Sequence, residues 1–311
     1  MTGITVLMPV YNDAKYLKHS VKSILNQTYR DFEFLIVDDG SEDNTEEIIS
    51  DFRDSRIIYK KTEHKGLASA LNYGIANSSG DWIARIDADD LNTSERLKTQ
   101  MNFLRKNQEY NVISSWSVYF QTPHKILFLL KTSDTDLKKS LNLHNPINHS
   151  SVMFDKKIIS GNGGYNETFR CYEDFELWFR LRDKLNFKII PEYLVFTRLR
   201  KDSMTQTEKK DNLYRMLSHN AELNLNKSLS SDDQNYWYNI LFWVEFFYGN
   251  RDRAGKYLSK NFSLKKAAAF LNTFLPDKAF KKIIDLRLRY RLESKFINKA
   301  ELEKELKTLL A

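Results

Sequence analysis

The sequence predicts an α/β fold in which a mostly parallel sheet carries helices on both faces, followed by an all-helical C-terminal extension. In the first hundred residues, short apolar runs rich in β-branched residues alternate with stretches of helical spacing. Such alternation is typical of parallel strands joined by helical crossovers. After about residue 208 only helical patterns remain, so we expect a first domain at 1–205 and a helical extension at 206–311.

Three of the four strands predicted in the first hundred residues end in polar clusters. We expect the strands at 4–10, 32–37, 57–59 and 82–86, and the polar clusters lie at 11–13, 38–41 and 87–90. Ligands of open α/β sheets bind beyond the carboxyl ends of the strands, so these clusters predict one shared binding site. The rest of the first domain is less regular, with helices expected up to residue 107 and at 134–141 and 173–185, strands near 112–119, 126–130 and up to 198, and an extended segment at 145–154.

Composition and charge exclude several classes of protein. Hydrophobic residues make up 41% and charged residues 29% of the 311 residues, which is ordinary globular usage. A single cysteine, Cys171, excludes an intrachain disulfide framework, and the first ten residues lack a signal-peptide pattern, so we expect a cytoplasmic protein. The net charge is +7, but the last 61 residues carry 16 Lys and Arg against 7 Asp and Glu, or +9, which leaves −2 for the other 250. We therefore expect no nucleic-acid binding by the first domain.

Two pairs of acidic residues follow predicted strands. Asp87 and Asp89 lie on the same side of an extended backbone, where hard oxygen ligands can hold Mg²⁺ or Mn²⁺ beside phosphate oxygens. A solvated turn is the other interpretation of this triplet. Asp38 and Asp39 precede Gly40, which fits either a simple turn or a carboxylate that accepts hydrogen bonds from a nucleobase or ribose.

A third acidic pair begins the helix predicted at 173–185. Asp174 precedes Leu177 and Trp178 by three and four residues, so the three side chains share one helix face. The carboxylate of Asp174 is either a helix N-terminal charge, favoured by the helix dipole, or a base aimed into a cleft.

A series of short segments occurs in order along residues 3–205. They are Pro9-Val10-Tyr11-Asn12, Ser23 to Thr28, Ile36 to Ser41 with Asp43 and Thr45, Gly66-Leu67-Ala68 with Asn72 and Gly80, Asp87 to Asp90, and Glu173-Asp174 with Leu177, Trp178 and Arg180. Together they resemble the family 2 glycosyltransferases. The resemblance implies the two-lobed glycosyltransferase A fold, with a Rossmann-like nucleotide-binding half and an acceptor half, and it implies inversion at the anomeric carbon.

The resemblance also implies the substrates and the roles of individual residues. The donor would be a nucleotide-diphosphate sugar, UDP-linked, and the acceptor a hydroxyl of a glycan or lipid-linked molecule in bacterial capsule or lipopolysaccharide synthesis. Asp89 would bind Mn²⁺ or Mg²⁺, and Asp174 would be the base that deprotonates the acceptor hydroxyl. The nucleotide sugar would be bound by Pro9, Tyr11, Asn12, Asp38, Asp39, Gly66, Asp87 and Ala88.

One segment departs from the family pattern. Where the family often has Arg-x-His followed by two serines, this chain has Arg198-Leu199-Arg200 followed by Ser203 and Thr205. An arginine cannot ligate a cation, but it can bind phosphate in a bidentate manner, so we place Arg198 and Arg200 at the donor. His149, Glu173 and Trp178 are assigned to the acceptor cleft, although a purely structural histidine fits equally well.

The C-terminal extension shows two further patterns. Eight of the thirteen residues from Tyr236 to Tyr248 are aromatic, which predicts a buried helix that packs the extension onto the catalytic domain. From Lys278 to Arg291 basic residues recur among apolar ones, which fits either peripheral binding to the inner membrane face or a solvated basic face.

Two other functions are weighed against this interpretation. A sugar-phosphate nucleotidyltransferase would carry a loop rich in glycine and arginine after its first strand, which Pro9-Val10-Tyr11-Asn12 is not. A response-regulator-like module would explain Asp38 and Asp39, but neither the chain length nor the acidic cluster at 87–90.

Overall fold

The computed structural model describes residues 3–121, 125–130, 136–200, 210–263, 266–267 and 299–310. Its contacts divide the chain into two compact units. The first unit comprises residues 1–137, 146–206 and 296–311, and the second comprises 138–145 and 207–295.

Nine strands of the described residues form one mixed, mostly parallel sheet in the order β3-β2-β1-β4-β8-β6-β9-β5, with β7 paired to β6. The strands are β1 (Ile4–Val10), β2 (Phe32–Asp38), β3 (Ile57–Lys61), β4 (Trp82–Arg85), β5 (Leu91–Asn92), β6 (Val112–Gln121), β7 (Lys125–Leu130), β8 (Met153–Asp155) and β9 (Phe187–Arg198). The predicted architecture, a mostly parallel sheet flanked by helices, is confirmed.

The first four strands are all parallel and lie next to one another. In the pairing of β1 with β2, Val10 lies beside Asp38, so the two strands end at the same level. β4 pairs with the other edge of β1, where Arg85 is opposite Leu7. The crossovers contain α1 (Ala14–Leu25), α2 (Thr45–Ser50) and α3 (Leu67–Asn77), and α4 (Arg96–Lys106) follows β5. The three predicted polar clusters are therefore brought to the same edge of the sheet.

Close helix-to-sheet packing explains one glycine of α3. A Cβ atom placed on Gly74 would lie 2.2 Å from Cδ1 of Leu7, a completely buried residue of β1. A larger side chain at this position would force Leu7 to move, which is costly in a close-packed interior.

The second half of the sheet mixes parallel and antiparallel pairs. β6 runs parallel to β9, but β8 is antiparallel to both β4 and β6. The helices along this part of the chain are α5 (Leu137–Ser140), which lies mostly in the second unit, α6 (Lys156–Gly161) and α7 (Glu173–Leu181). The helix predicted at 134–141 lies partly outside the described residues and is seen from Leu137, and the one predicted to reach 185 ends at Leu181.

The segment at 145–154 is not simply extended, as the sequence had suggested. A single 3-10 turn spans His149–Ser151, because the side chain of Asn148 accepts a hydrogen bond from the Ser150 amide. The turn interrupts the extended segment at His149, and β8 begins only at Met153.

Among the described residues from 210 onward, the second unit contains α8 (Asp211–Lys227), α9 (Ser231–Phe247) and α10 (Arg251–Leu258). The aromatic segment forms α9 as predicted, and Phe242 and Phe246 are buried with Ala254 of α10. Packing of this helix onto the catalytic domain stays a prediction, and the basic segment 278–291 lies outside the described residues.

A last helix, α11 (Lys299–Leu310), belongs to the first unit. Its Leu302 and Leu306 pack in one cluster with Phe120 of β6 and Phe196 of β9. The domain boundary at 205 stays a prediction, and the chain returns to the first unit beyond it. Within the ranges that the structure describes, no helix combines the length and apolar character needed to cross a bilayer.

Candidate active site

The loops after β1 and β2 are joined by hydrogen bonds. Asn12 has a left-handed backbone, with φ of 52°. Its amide donates to Oγ of Ser41 at 2.9 Å, and its side-chain oxygen accepts from the Glu42 amide at 2.9 Å. Oδ2 of Asp43 accepts from the Ala14 amide at 2.9 Å. The segment at 9–12 and the segment at 36–43 are therefore held together as one structure.

The side chain of Asp38 stabilises the loop after β2. It is completely buried. One of its oxygens accepts from the Ser41 amide at 2.7 Å and the other from the Tyr59 hydroxyl at 2.5 Å. Burial and this carboxylate raise the pKa of Tyr59, which keeps the hydroxyl a donor. Asp38 thus stabilises the loop, and Pro9 lies buried within β1 beside Val37.

Asp39 organises the loop before α3. Its two oxygens accept from the amides of Lys65 and Gly66 at 2.9 and 2.8 Å. The φ of Gly66 is 99°, a conformation that favours glycine. Nδ1 of His64 lies 2.9 Å from Oδ2 of Asp39 and 3.1 Å from its carbonyl oxygen, and since both accept, Nδ1 carries the proton.

The surface presented to solvent here is a pair of aromatic rings. Tyr11 stacks on His64 with ring centroids 3.9 Å apart and an angle of 17° between the planes. Tyr11 is 42% exposed, and the His64 side chain is 52% exposed. Sequence reasoning identified Tyr11 but missed His64, since His64 follows a different strand and only the sheet order brings it near.

Asp87 is held by a buried arginine that sequence reasoning also missed. Both terminal nitrogens of Arg85 contact the Asp87 carboxylate, one on each oxygen. The Asp87 amide donates to Oγ of Ser150 at 3.0 Å. Ala88 is buried. An arginine inside an otherwise apolar strand, two residues before an aspartate, was the available signal for this pair.

Asp89 lies among charges of both signs. Nη1 of Arg200 is 3.4 Å from Oδ2 of Asp89 and also contacts Asp13. Arg198 donates from Nε to the Asp89 carbonyl oxygen at 2.9 Å. Burial and the neighbouring carboxylates of Asp87 and Asp13 raise the pKa of Asp89 to about 7. The two arginines predicted to face the donor are therefore both beside the acidic cluster.

The crowding of carboxylates fits a divalent cation. Asp13 and Asp89 approach the same guanidinium group, and the charge of Asp87 acts on Asp89 as well. Carboxylate oxygens are the donors that Mg²⁺ and Mn²⁺ prefer. A cation there would relieve the repulsion that raises the pKa of Asp89.

A second pair of acidic residues, Glu173 and Asp174, begins α7. Glu173 is buried, and burial together with the adjacent charge of Asp174 raises its pKa to about 8. Asp174 is partly exposed, and its Oδ1 accepts from the Phe175 amide at 2.7 Å. Burial thus favours the protonated form of Glu173, and Asp174 is the member of the pair whose side chain is open to solvent.

His149 packs beside this pair. Its Nε2 is 2.8 Å from the Tyr165 hydroxyl, and its Nδ1 is 3.6 Å from Oε1 of Glu173. Burial and the charge of Arg85 hold the pKa of His149 well below its usual value, so the ring is neutral. Ligand atoms of His149, Glu173 and Asp174 lie within 4.8 Å of one another, which also fits a cation geometrically.

Trp178, assigned from the sequence to the acceptor cleft, is completely buried. Its ring makes edge contacts with Phe154, Phe187 and His149. In this position it supports the His149 ring and presents no surface to a ligand.

Two other residues of the matched segments hold the neighbouring loop. Arg180 donates to the carbonyl oxygens of Asn162 and Gly164 at 2.8 and 2.6 Å and pairs with Glu176. The amide group of Asn72 bonds with both the N–H and the C=O of Tyr165. These contacts fix the loop that carries Tyr165, the partner of His149.

The sheet and the site together define a nucleotide-sugar-dependent glycosyltransferase. The family model for glycosyl transferase family 2 matches residues 5–160, and the chain belongs to this family. It is therefore an enzyme of a class that inverts the anomeric carbon and is typically metal-dependent.

Known relatives agree with this assignment. An uncharacterized glycosyltransferase of Methanocaldococcus jannaschii is 31% identical over 255 residues, which cover 79% of this chain and 85% of that protein. The putative glycosyltransferase EpsE of Bacillus subtilis is 31% identical over 188 residues, 57% of this chain and 66% of that one.

Solved structures share the fold. TarS of S. aureus, in complex with UDP-GlcNAc, has a TM-score of 0.63 at 17% identity and covers 99% of this chain and 90% of its own. The mannosyltransferase PcManGT from Pyrobaculum calidifontis, in complex with GDP-Man and Mn²⁺, has a TM-score of 0.58 at 16% identity, with coverages of 92% and 85%. At these identities the likeness supports the fold.

Proposed function

We propose that the protein transfers a sugar from a UDP-linked donor to a hydroxyl of a glycan or lipid-linked acceptor in bacterial surface polysaccharide synthesis. The observation that carries this proposal is the link between two acidic centres. The amide of Asp87 binds Ser150, and the neighbouring His149 packs beside Glu173. A donor held at Asp87 and Asp89 would thus lie near the base at Asp174.

The stacked rings of Tyr11 and His64 support a nucleobase at this edge of the sheet. Flat aromatic surfaces stack readily on bases, and stacking tolerates different bases. Asp39 uses both oxygens to hold the 64–66 loop, so its direct contact with a base remains our prediction. The UDP assignment takes support from TarS, which was solved with UDP-GlcNAc.

Asp89 is our candidate for the cation, with Asp13 and Asp87 beside it. When bound, Mn²⁺ or Mg²⁺ would neutralise charge that develops on the departing diphosphate. Arg200 and Arg198 supply fixed positive charge at the same place, and guanidinium groups bind phosphate in a bidentate manner. PcManGT, solved with Mn²⁺, shows that this fold accommodates the metal in another protein.

Asp174 is the proposed base. We choose Asp174 because its neighbour is a poor base. The pKa of Glu173 is raised to about 8, so Glu173 holds a proton at pH 7 and cannot accept another. Asp174 then removes the proton from the acceptor hydroxyl as that oxygen attacks the anomeric carbon. His149, neutral and fixed by Tyr165, lines the acceptor side in this proposal.

A panel of nucleotide sugars tests the function. We expect slow release of a nucleoside diphosphate from the correct donor with Mn²⁺ or Mg²⁺, and a rise in melting temperature with UDP and metal because the ligand binds only the folded state. Asp89→Asn is the matched control and should lose both signals. Absence of release and of any thermal shift across the panel at millimolar concentration would contradict the proposal.

Peripheral association with anionic membranes is a further part of the proposal, carried by the charge of +9 in the last 61 residues. Each basic residue near an anionic surface contributes about 1 kcal/mol. Truncation is a poor test, because α11 packs in the core of the first unit. Replacement of Lys278, Lys281, Lys282 and Arg287 by Gln should weaken binding to phosphatidylserine vesicles at low salt. Unchanged binding would favour a solvated basic face.

A further inference from the structure

Arg85 is a charged residue hidden inside the sheet. It is 1% exposed, yet its guanidinium contacts both oxygens of the Asp87 carboxylate. That carboxylate is 38% exposed. Arg85 thus holds the Asp87 carboxylate from the protein interior, and the solvent-exposed side of the carboxylate remains open to a ligand.

The backbone on both sides of this pair is also fixed. The Arg85 amide donates to the carbonyl oxygen of Val152 at 2.9 Å, and the Arg85 carbonyl accepts from Nη2 of Arg96 at 2.7 Å. Two residues later the Asp87 amide donates to Ser150 at 3.0 Å. The carboxylate therefore has little freedom to change its position.

Maintaining this arrangement is costly for the fold. Arg96 is also completely buried, and burial together with the charge of Arg85 lowers the pKa of Arg96 to about 9. Two guanidinium groups near one another in the interior repel, and an apolar pair would pack there at lower cost. A costly buried charge that reaches a partly exposed carboxylate is the signature of a site held for function.

The charge of Arg85 also acts on the base side. It lowers the pKa of His149 and opposes the rise in the pKa of Glu173. The guanidinium therefore lies within electrostatic reach of both acidic centres.

We propose that Arg85 is a positioning residue for the transfer reaction: it holds the Asp87 carboxylate in one orientation toward the nucleotide sugar. This inference rests on the proposed function. Lysine cannot replace the arginine, because an ammonium group is a point charge and lacks the two parallel donors that contact both carboxylate oxygens at once. Preorganisation of this kind affects binding before chemistry, since a mobile Asp87 must be ordered when the donor arrives.

The test compares two buried arginines. Arg85→Lys should raise the dissociation constant for UDP with Mn²⁺, measured by calorimetry, and the KM for the donor about tenfold, with a smaller change in kcat. Arg96→Lys is the matched control: Arg96 is equally buried but bonds backbone oxygens, Asn92 and Gln100 instead of Asp87. It should lower the melting temperature and weaken UDP binding far less than Arg85→Lys does, because a lysine can still donate to the Arg85 carbonyl oxygen and Arg96 does not contact Asp87.

A double-mutant cycle completes the test. Arg85→Lys combined with Asp87→Asn should bind UDP no more weakly than Asp87→Asn alone, because the arginine affects nucleotide binding through the aspartate. Additive losses, or equal losses in Arg85→Lys and Arg96→Lys, would overturn the inference. If Arg85→Lys does not fold, wild-type UDP affinity in Asp87→Asn overturns it as well. Failure of the wild type to bind any nucleoside diphosphate would refute the proposed function and this inference with it, whereas normal binding by Arg85→Lys refutes the inference alone.

Discussion

The donor side that we propose, at Asp87 and Asp89, and the base side that we propose, at Glu173 and Asp174, surround their carboxylates in different ways. On the donor side each carboxylate faces an arginine, Asp87 with Arg85 and Asp89 with Arg200. On the base side Glu173 and Asp174 are adjacent to each other and to a neutral histidine. In our proposal the first side binds the diphosphate and the cation, and the second side accepts a proton.

The difference shows that residue type alone does not assign a role to a carboxylate. A neighbouring positive charge favours the ionised form, while burial and a second carboxylate favour the protonated form. Asp89 experiences both influences, and Glu173 is dominated by burial and by Asp174. Changing one group on each side therefore separates loss of binding from loss of chemistry.

The largest effect is expected on the base side. Asp174→Asn keeps the size of the side chain but cannot accept a proton, so kcat should fall by roughly 10²–10⁴-fold while UDP affinity changes only a few-fold. Glu173→Gln is the matched control and should retain far more activity, because Glu173 is already protonated at pH 7. Steady-state transfer kinetics check both variants. Retention of more than about a tenth of the wild-type rate in Asp174→Asn would refute its role as the base.

An intermediate effect, and one that depends on pH, is expected on the donor side. The pKa of Asp89 is raised to about 7, so below that pH a proton competes with the cation, and above it the carboxylate is ionised. Affinity for UDP with Mn²⁺ should rise up to about tenfold per pH unit from pH 5 to 7 and then level off. Calorimetry across this range checks the slope. Asp89→Asn should bind weakly and lose the dependence, and a pH-independent wild type would contradict the assignment.

The smallest effect is expected at the aromatic pair. His64→Ala removes one ring of the stack and should weaken UDP binding by roughly three- to tenfold, in line with about 1 kcal/mol for an aromatic contact. Tyr59→Phe is the control, since it removes the hydrogen bond to buried Asp38 without touching either ring. It should reduce thermal stability and leave affinity unchanged. Equal losses of affinity in the two variants would mean that the structure of the loop controls binding and that contact with the rings does not.

The sequence by itself determined the family, the first four strands and the polar clusters at their ends. These follow from local patterns: alternating periodicity marks the strands, and the acidic segments are short and continuous in the chain. The contact between Arg85 and Asp87 could also have been predicted, because residues two apart in an extended chain lie on the same side.

Only the tertiary structure decided which charges meet and which carboxylate keeps its proton. Arg200 reaches Asp89 across 111 positions, and His64 reaches Asp39 across 25, through the order of the strands. It also decided that α11 returns to pack Leu306 against Phe120, although its sequence pattern is that of the helical extension. The physical reason is that burial and electrostatic fields are summed over neighbours in space, and a sequence pattern describes only neighbours along the chain.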